Sequence, residues 1–151
     1  MTRENFADVI DWAPIGLFKV RRDGTFLEIN RYLADMLGYP SKEELFSLNL
    51  ERDVYFSPGQ RQANLLRVES EGTGLRLEVR WRRKDGTPIW VELTGHPVDL
   101  PGEPARCFEG LAIDVTERKI AEGRVRDQAA LLDRAQDAIY VEDLVVRFCF
   151  L

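Results

Sequence analysis

The sequence LRLEVRWRRKDGTPIWVELTGHPVDLPGEPARCFEGLAIDVTERK, from Leu75 to Lys119, decides the fold. At its start, apolar and charged residues alternate with a period of two, which is typical of a β-strand with one face in water. Asp85 and Gly86 lie between the first two runs and supply the positive backbone angles of a tight hairpin turn. We therefore expect three strands here, the last of which leads directly into a charged helix.

The alternation gives these strands a common apolar face. Charged residues fill the other face of the first strand, so we place that strand at the edge of a sheet. The last strand also has apolar residues, Leu111 and Ile113, on its second face, and we expect it to be interior. Its outer face then needs a cover, for which a leading helix is the nearest candidate. The inward positions are Leu75, Leu77, Val79, Trp81, Ile89, Val91, Leu93, Phe108 and Ala112.

The N-terminal segment predicts a short helix and a hairpin. Residues 1–13 form an amphipathic leading helix that Pro14 stops. Two strand-like runs, residues 15–20 and 26–29, flank a second Asp-Gly turn. Two antiparallel strands follow from this pattern.

Capping signals mark three further helices before Leu75. Asn30 can cap the first of them. Ser41 opens an S-x-x-E capping box for the second, and Ser57 can cap a third that runs to about Gly72. The predicted order of elements after the leading helix is therefore ββαααβββ.

This order is an α+β arrangement, in which a five-stranded antiparallel sheet carries on one face the helices inserted after strand two. Short motifs stand at fixed places in this order: EIN at 28–30, MLGY at 36–39, WRRKDGTPIWV at 81–91, FEG at 108–110 and DVTERK at 114–119. In these motifs and in the order of its elements the chain resembles a PAS domain, whose core would span residues 14–115. The resemblance implies a sensory module that binds a small molecule or cofactor, or merely dimerises, and biases an effector elsewhere in the polypeptide.

A flavin site is not predicted. Flavin-binding PAS light sensors carry a cysteine in an Asn-Cys-Arg-Phe type motif and amide side chains on the last three strands. In this chain the helical segment has no cysteine, and Trp81, Val91 and Ala112 occupy the aligned strand positions. Each polar group of a flavin ring that stayed unpaired would cost about 1 to 3 kcal/mol.

Haem and metal sites find as little support. The one histidine, His96, falls on the outward phase of its strand, whereas haem-binding PAS sensors usually ligate the haem from the helical side. No second histidine or cysteine stands at ligand spacing. Cys107 is also on the outward phase, and we interpret it as a packed thiol. No cofactor is therefore expected.

The candidate pocket between helices and sheet is apolar throughout. A ligand, if one binds, should be an apolar or aromatic small molecule, and the chain would then be a ligand-responsive sensor. In the other interpretation, which we favour, the side chains fill the space themselves. The candidate lining residues are Leu77, Val79, Trp81, Val91, Leu93, Phe108 and Ala112.

The exit from the last strand is the predicted output. Asp114 or Thr116 can cap the helix that follows, and Asp114 with Glu117 forms a D-x-x-E analogue of the capping box. Such a cap would tie the helix mechanically to the sheet. We therefore predict that these three residues relay a signal.

The linker helix, residues 116–137, has apolar residues at heptad spacing. Ala121, Val125 and Leu132 belong to this seam. Together with Phe6 and Ile10 of the leading helix they are the predicted dimer positions, and we expect a homodimer. The alternative is an amphipathic helix that packs on its own domain.

The tail, residues 138–151, repeats the strand pattern of residues 16–29. We interpret it as the truncated start of a second PAS domain, and the chain as a piece of a longer receptor. Because fourteen residues cannot form a core, we expect the tail to be disordered or to pair with a strand edge.

Composition excludes several functions. The net charge of -5 and the pI near 5.0 argue against a nucleic-acid or anionic-membrane surface. No apolar run reaches the roughly 18 residues that span a bilayer, and no signal peptide is recognisable, so a cytoplasmic location is expected. Catalytic motifs are missing, and by family habit the effector, a histidine kinase or a cyclic-dinucleotide enzyme, would lie outside this chain.

Overall fold

The computed structural model describes residues 3–72 and 74–149, and the side chains of residues 8–72 and 74–136. The chain divides into two units, residues 1–116 and 117–151. In chain order the elements are α1 (Arg3–Trp12), β1 (Gly16–Val20), β2 (Phe26–Ile29), α2 (Arg31–Met36), α3 (Lys42–Phe46), a π-helix (Leu50–Val54), α4 (Gln60–Glu71), β3 (Arg76–Arg82), β4 (Pro88–Val98), β5 (Cys107–Asp114) and α5 (Thr116–Cys149).

The five strands form one antiparallel sheet in the order β2-β1-β5-β4-β3. β5 is central, as its two apolar faces predict, and β3 with its charged outer face lies at an edge. The predicted α+β arrangement is therefore confirmed. Pairing of β1 with β5 also brings the first and last strands of the sheet together.

The core lies between the inner face of the sheet and α2, α3, the π-helix and α4. Eight of the nine predicted inward residues are buried, and Leu75 is partly buried against the same cluster. Phe18 meets Trp81 and Phe26 edge to face, with ring centroids 6.0 and 6.5 Å apart. These aromatic contacts fill the centre of the inner layer.

Gly110 makes room for this aromatic packing. A Cβ at that position would lie 2.7 Å from the ring of Phe18, its partner across the β1–β5 ladder. On the other side of β5, Gly95 of β4 is the register partner of Gly110. The FEG motif thus has a packing reason, since only a residue without a side chain admits the ring here.

Two of the three helices begin at the predicted cap residue, but only one of those caps makes its side-chain hydrogen bond. Asn30 caps α2 by accepting from Leu33 N. Ser41 precedes α3 but its side chain makes no capping bond. Glu44, the other half of the predicted capping box, instead accepts from Lys84 at 3.0 and 3.2 Å. The prediction that Ser57 caps the third helix is wrong.

The start of α4 lies three residues beyond Ser57, at Gln60. Its N-cap is Gly59, whose left-handed backbone angle φ of 80° breaks any helical path from Ser57. The π-helix before it was not predicted. Asn49 caps that element, accepting from Glu51 N at 3.0 Å and Arg52 N at 3.1 Å.

The tail differs in secondary structure from the prediction. α5 is helical as far as Cys149, so residues 138–149 are neither strands nor disordered. No glycine or proline follows Gly123 to stop the helix. Adding residues to an existing helix costs less than forming an isolated hairpin, which is marginal at best. That these residues begin a second PAS domain stays a prediction.

Candidate functional site

The space between the helices and the sheet is nearly filled. A cavity of about 70 Å³ is left there, far below the roughly 300 to 1,000 Å³ of ordinary ligand pockets. Of the predicted lining residues, Leu77, Leu93 and Phe108 border this cavity. The other four, Val79, Trp81, Val91 and Ala112, are fully buried in the packing around it.

The positions aligned with flavin-binding amides hold buried apolar residues. Trp81, Val91 and Ala112 have no exposed surface, and none carries an amide that could bond a flavin ring edge. Their packing leaves no room for a ring system in this conformation. The inner layer therefore does not fit a flavin.

Sequence reasoning missed a polar corner of the inner cavity, formed by Arg61, Tyr55 and Asn64. Arg61 is only 2% exposed and donates to the carbonyl oxygens of Arg22 at 2.7 Å and Arg21 at 3.0 Å. Burial lowers the pKa of Arg61 and raises that of the Tyr55 hydroxyl, to which Asn64 donates at 3.4 Å. Through its two bonds to the carbonyl groups of Arg21 and Arg22, the Arg61 guanidinium holds the β1–β2 turn in place.

A larger cavity, of about 390 Å³, lies on the outer face of the sheet beneath α1. Ile10 lines it from the helix, and Leu17 and Leu111 line it from the sheet. The predicted cover for the central strand is therefore in place, but the fit is loose. Leu111 and Ile113 stay about 40% exposed.

An ionic row crosses four strands on this outer face. Glu28, Lys19, Glu109 and His96 are successive register partners on β2, β1, β5 and β4. Lys19 Nζ lies 3.1 Å from Glu28 and 3.9 Å from Glu109, whose Oε1 is 2.7 Å from His96 Nε2. His96 is outward and exposed, as predicted.

The remaining candidates for metal and redox chemistry are His96 and Cys107. Among the described residues no group of three histidine, cysteine or carboxylate side chains could hold a metal ion. Cys107 is buried, and burial raises the pKa of its thiol, which makes it less reactive. The structure agrees with a packed thiol at this position.

The start of α5 is fastened to β4 by a set of hydrogen bonds, which we name the exit clamp (Arg83, Trp90, Asp114, Val115 and Thr116). The Thr116 hydroxyl accepts from Trp90 N at 3.0 Å, and Val115 N donates to Trp90 O at 2.9 Å. Asp114 Oδ1 accepts from Thr116 N at 2.9 Å, and Arg83 lies 3.3 Å from Asp114 Oδ2. Both backbone groups of Trp90 therefore hold the strand-to-helix junction.

The other predicted relay and dimer residues are less constrained. Glu117 is exposed in the first turn of α5. Ala121 is exposed, and Val125 and Leu132 are 65% and 64% exposed. Ile10 lines the outer cavity, and the side chain of Phe6 lies outside the described residues.

Comparison with known proteins identifies the fold. A family model described as PAS domain matches residues 14–117, which is more than half of the chain. The chain therefore belongs to the PAS family, whose members are sensory modules. No curated protein matches the chain at a significant level.

Solved structures share this architecture. A PAS domain from Colwellia psychrerythraea has a TM-score of 0.62 and 21% identity, covering 76% of this chain and 97% of that one. A sensory box histidine kinase/response regulator from Burkholderia thailandensis has a TM-score of 0.60 and 23% identity, covering 86% of this chain and 98% of that one. The LOV domain of a blue-light activated histidine kinase from Erythrobacter litoralis has a TM-score of 0.51 and 21% identity, covering 68% of this chain and 97% of that one. At these identities the likeness shows the fold alone.

No helix in the described ranges, 3–72 and 74–149, is long and apolar enough to cross a membrane.

Proposed function

We propose that this PAS domain is a homodimeric signal-relay module, which passes a conformational change through α5 to an effector outside the chain. The observation that carries the proposal is the exit clamp. It fastens Val115 and Thr116, at the start of α5, to the two backbone groups of Trp90. Several solved PAS structures of this fold come from histidine kinases, and we propose an effector of that type.

The clamp links the inner layer to the output helix. Trp90 is followed in β4 by Val91, which is fully buried in the core and pairs with Asp114 of β5. A shift of β4 caused by repacking of the core therefore moves Trp90 and, with it, Thr116. The mechanism needs strand movement and no bound cofactor.

Exposure of the α5 seam supports a dimer. Val125 and Leu132 present apolar side chains to water, although their spacing suits a coiled-coil interface. A second copy of the chain would bury both residues, and a helix whose a and d positions are covered is more stable than an isolated one.

The relay is tested by Thr116→Val, which keeps the shape of the side chain and removes the hydroxyl that accepts from Trp90 N. We expect amide hydrogen exchange at Trp90 and in the first turns of α5 to rise about fivefold, the effect of losing a cap worth about 1 kcal/mol. Thr94→Val is the matched control: it makes the same substitution on β4, the strand of Trp90, but outside the exit clamp, and it should leave exchange at Trp90 unchanged. Unchanged exchange at Trp90 in Thr116→Val would contradict the relay.

The dimer is tested by sedimentation of the chain at tens of micromolar. Leu132→Ser should yield monomer, because it removes a seam residue. Leu131→Ser is the control, since Leu131 is equally exposed, at 63%, but lies off the seam. A monomeric unsubstituted chain, or equal effects of the two variants, would count against the dimer.

The alternative of a ligand-responsive sensor is tested by extracting natively purified protein. The cavity of about 70 Å³ leads us to expect no small molecule in stoichiometric amount. One equivalent of an apolar or aromatic compound, detected by mass spectrometry, would replace the relay proposal with the ligand sensor.

A further inference from the structure

One buried amide joins two helix ends on opposite sides of the sheet. Asn30 is 1% exposed, and its Oδ1 accepts from Leu17 N at 2.9 Å and from Leu33 N at 3.2 Å. Its Nδ2 donates to Ile10 O and Ile15 O, both at 2.8 Å. All four hydrogen-bonding positions of the side chain are therefore satisfied. Only the acceptor half follows from the capping signal in the sequence.

The donor half of Asn30 acts on α1. Ile10 lies in the last turn of that helix, where carbonyl groups have no partner within the helix. Asn30 thus caps the C-terminal end of α1 with its nitrogen while it caps the N-terminal end of α2 with its oxygen.

Asp11, the next residue of α1, makes a second connection to the same helices. Its Oδ1 accepts from Arg31 N of α2 at 3.1 Å and lies 3.2 Å from Lys42 Nζ of α3. Both side chains of the ion pair are about one third exposed. We name Asp11, Asn30 and Lys42 the α1 joint.

The two sides of the joint belong to different layers of the molecule. α2 packs in the core through Leu33, and a Cβ on Gly16 of β1 would lie 2.8 Å from the end of that side chain. α1 instead covers the outer cavity with Ile10. A movement of α2 against the sheet must therefore act directly on the last turn of α1.

We propose that the α1 joint couples the packing of the inner layer to α1, so that α1 is a strap over the outer face that loosens when α2 shifts. This route runs through α1 and α2 and shares no hydrogen bond with the exit clamp, although the pairing of Gly16 with Ala112 places both at the same end of the sheet. It does not depend on the proposed relay through α5. The outer cavity, which is already loosely filled, is the space that a loosened α1 would open.

The variant Asn30→Asp, made in the full chain, tests the two hydrogen bonds that the Asn30 nitrogen donates to Ile10 O and Ile15 O. The aspartate keeps an oxygen for Leu17 N and Leu33 N, but its second oxygen faces the carbonyl groups of Ile10 and Ile15 and has no proton to donate. We expect amide hydrogen exchange in the last turn of α1 to rise by at least about tenfold. The Ala13 amide, which donates to Val9 O at 2.9 Å, is the reporter.

Asn49→Asp is the matched control. Asn49 is also a helix cap whose oxygen accepts two backbone N–H groups, and its nitrogen donates to Asp23 O at 2.8 Å, away from α1. This variant should leave exchange in α1 unchanged. If it loosens α1 as much as Asn30→Asp does, the effect is general destabilisation and the coupling is wrong.

A milder variant covers the case in which Asn30→Asp does not fold. Asp11→Asn keeps the acceptor for Arg31 N and weakens the pair with Lys42, so exchange in α1 should rise about two- to fivefold. Glu44→Gln removes a comparable pair, with Lys84, on another surface and should not affect α1. Unchanged α1 exchange in Asp11→Asn overturns the proposal, and so does a rise of equal size across β3 to β5.

The relay and the strap can fail separately. Thr116→Val should change exchange at Trp90 and leave the Ala13 amide as it is, whereas the joint variants should do the reverse. A change at both amides, Trp90 and Ala13, in either variant would contradict two independent routes.

Discussion

The two faces of the sheet are built from the same strands and differ in how well they are covered. The inner face packs aromatic and branched side chains against four helical segments and leaves about 70 Å³ unfilled. The outer face has one short helix above it, an ionic row, and a cavity of about 390 Å³. Close packing transmits displacement and loose packing absorbs it. The inner layer is therefore suited to carrying a shift toward the exit clamp and the α1 joint.

The largest effect is expected at the centre of the inner layer. Trp81→Ala should lower the free energy of unfolding by about 3 to 5 kcal/mol, because it leaves a cavity in a packed core. The Trp81 ring meets Phe18 and Tyr55 edge to face there, with centroids 6.0 and 6.1 Å apart. Urea unfolding monitored by circular dichroism measures the loss.

Trp12→Ala is the control for this measurement. Trp12 is 74% exposed on α1, with Arg31 5.7 Å above its ring. Its removal should cost less than about 1 kcal/mol. If the two variants lower the free energy of unfolding by similar amounts, the inner face is not more tightly packed than the outer face.

The next effect tests the close approach of Phe18 to β5. Gly110→Ala places a methyl group where the Phe18 ring lies, and overpacking of this kind costs about 1 to 3 kcal/mol. Adding Phe18→Leu should recover part of the loss, which urea unfolding of the double variant would show. Gly123→Ala is the control, because a Cβ there meets nothing within 4 Å and should stabilise α5 by about 0.5 to 1 kcal/mol.

The sequence predicted the inner face well for a physical reason. Alternation along a strand depends only on neighbouring residues, so Trp81, Val91 and Ala112 could be assigned inward without knowing the fold. The FEG motif likewise pointed to β5 before its partner Phe18 was known. The burial of Arg61 had one local signal, its helical spacing from Leu65 and Val68.

Features that join distant segments escaped prediction. The acceptors of Arg61 are carbonyl groups some 40 positions away, and Asn30 reaches Ile10 across 20 positions. The size of the outer cavity depends on how closely α1 approaches the sheet, which no local pattern encodes. Residues 138–149 show the converse: their sequence has a strand-like pattern, but they continue α5, because no glycine or proline after Gly123 ends that helix.

A smaller effect is expected on the outer face. Lys19→Met leaves Glu28 and Glu109 without the cation between them, yet exposed ion pairs contribute only about 0 to 1 kcal/mol. We expect a loss in that range, and it should shrink in high salt, because screening weakens the remaining repulsion. Urea unfolding at two salt concentrations measures it. A loss of 3 kcal/mol or more would mean that the outer face is as tightly packed as the inner one.

The smallest effect on the free energy of unfolding is expected at the turn that joins β1 and β2. Asp23 Oδ1 accepts from Thr25 N at 2.9 Å, and this bond lowers the pKa of the Asp23 carboxyl. The ionised form is favoured in the folded state, so its stabilisation is complete above the unfolded pKa of about 3.9 and disappears as the pH falls through the lower, folded value. Asp23→Asn should therefore show a shallower decrease in unfolding free energy below about pH 4 than the unsubstituted chain. Asp35→Asn, at an exposed position of α2, is the control. If the unfolding free energy of Asp23→Asn falls with pH below about 4 just as that of the unsubstituted chain does, Asp23 does not contribute to the acid dependence of stability.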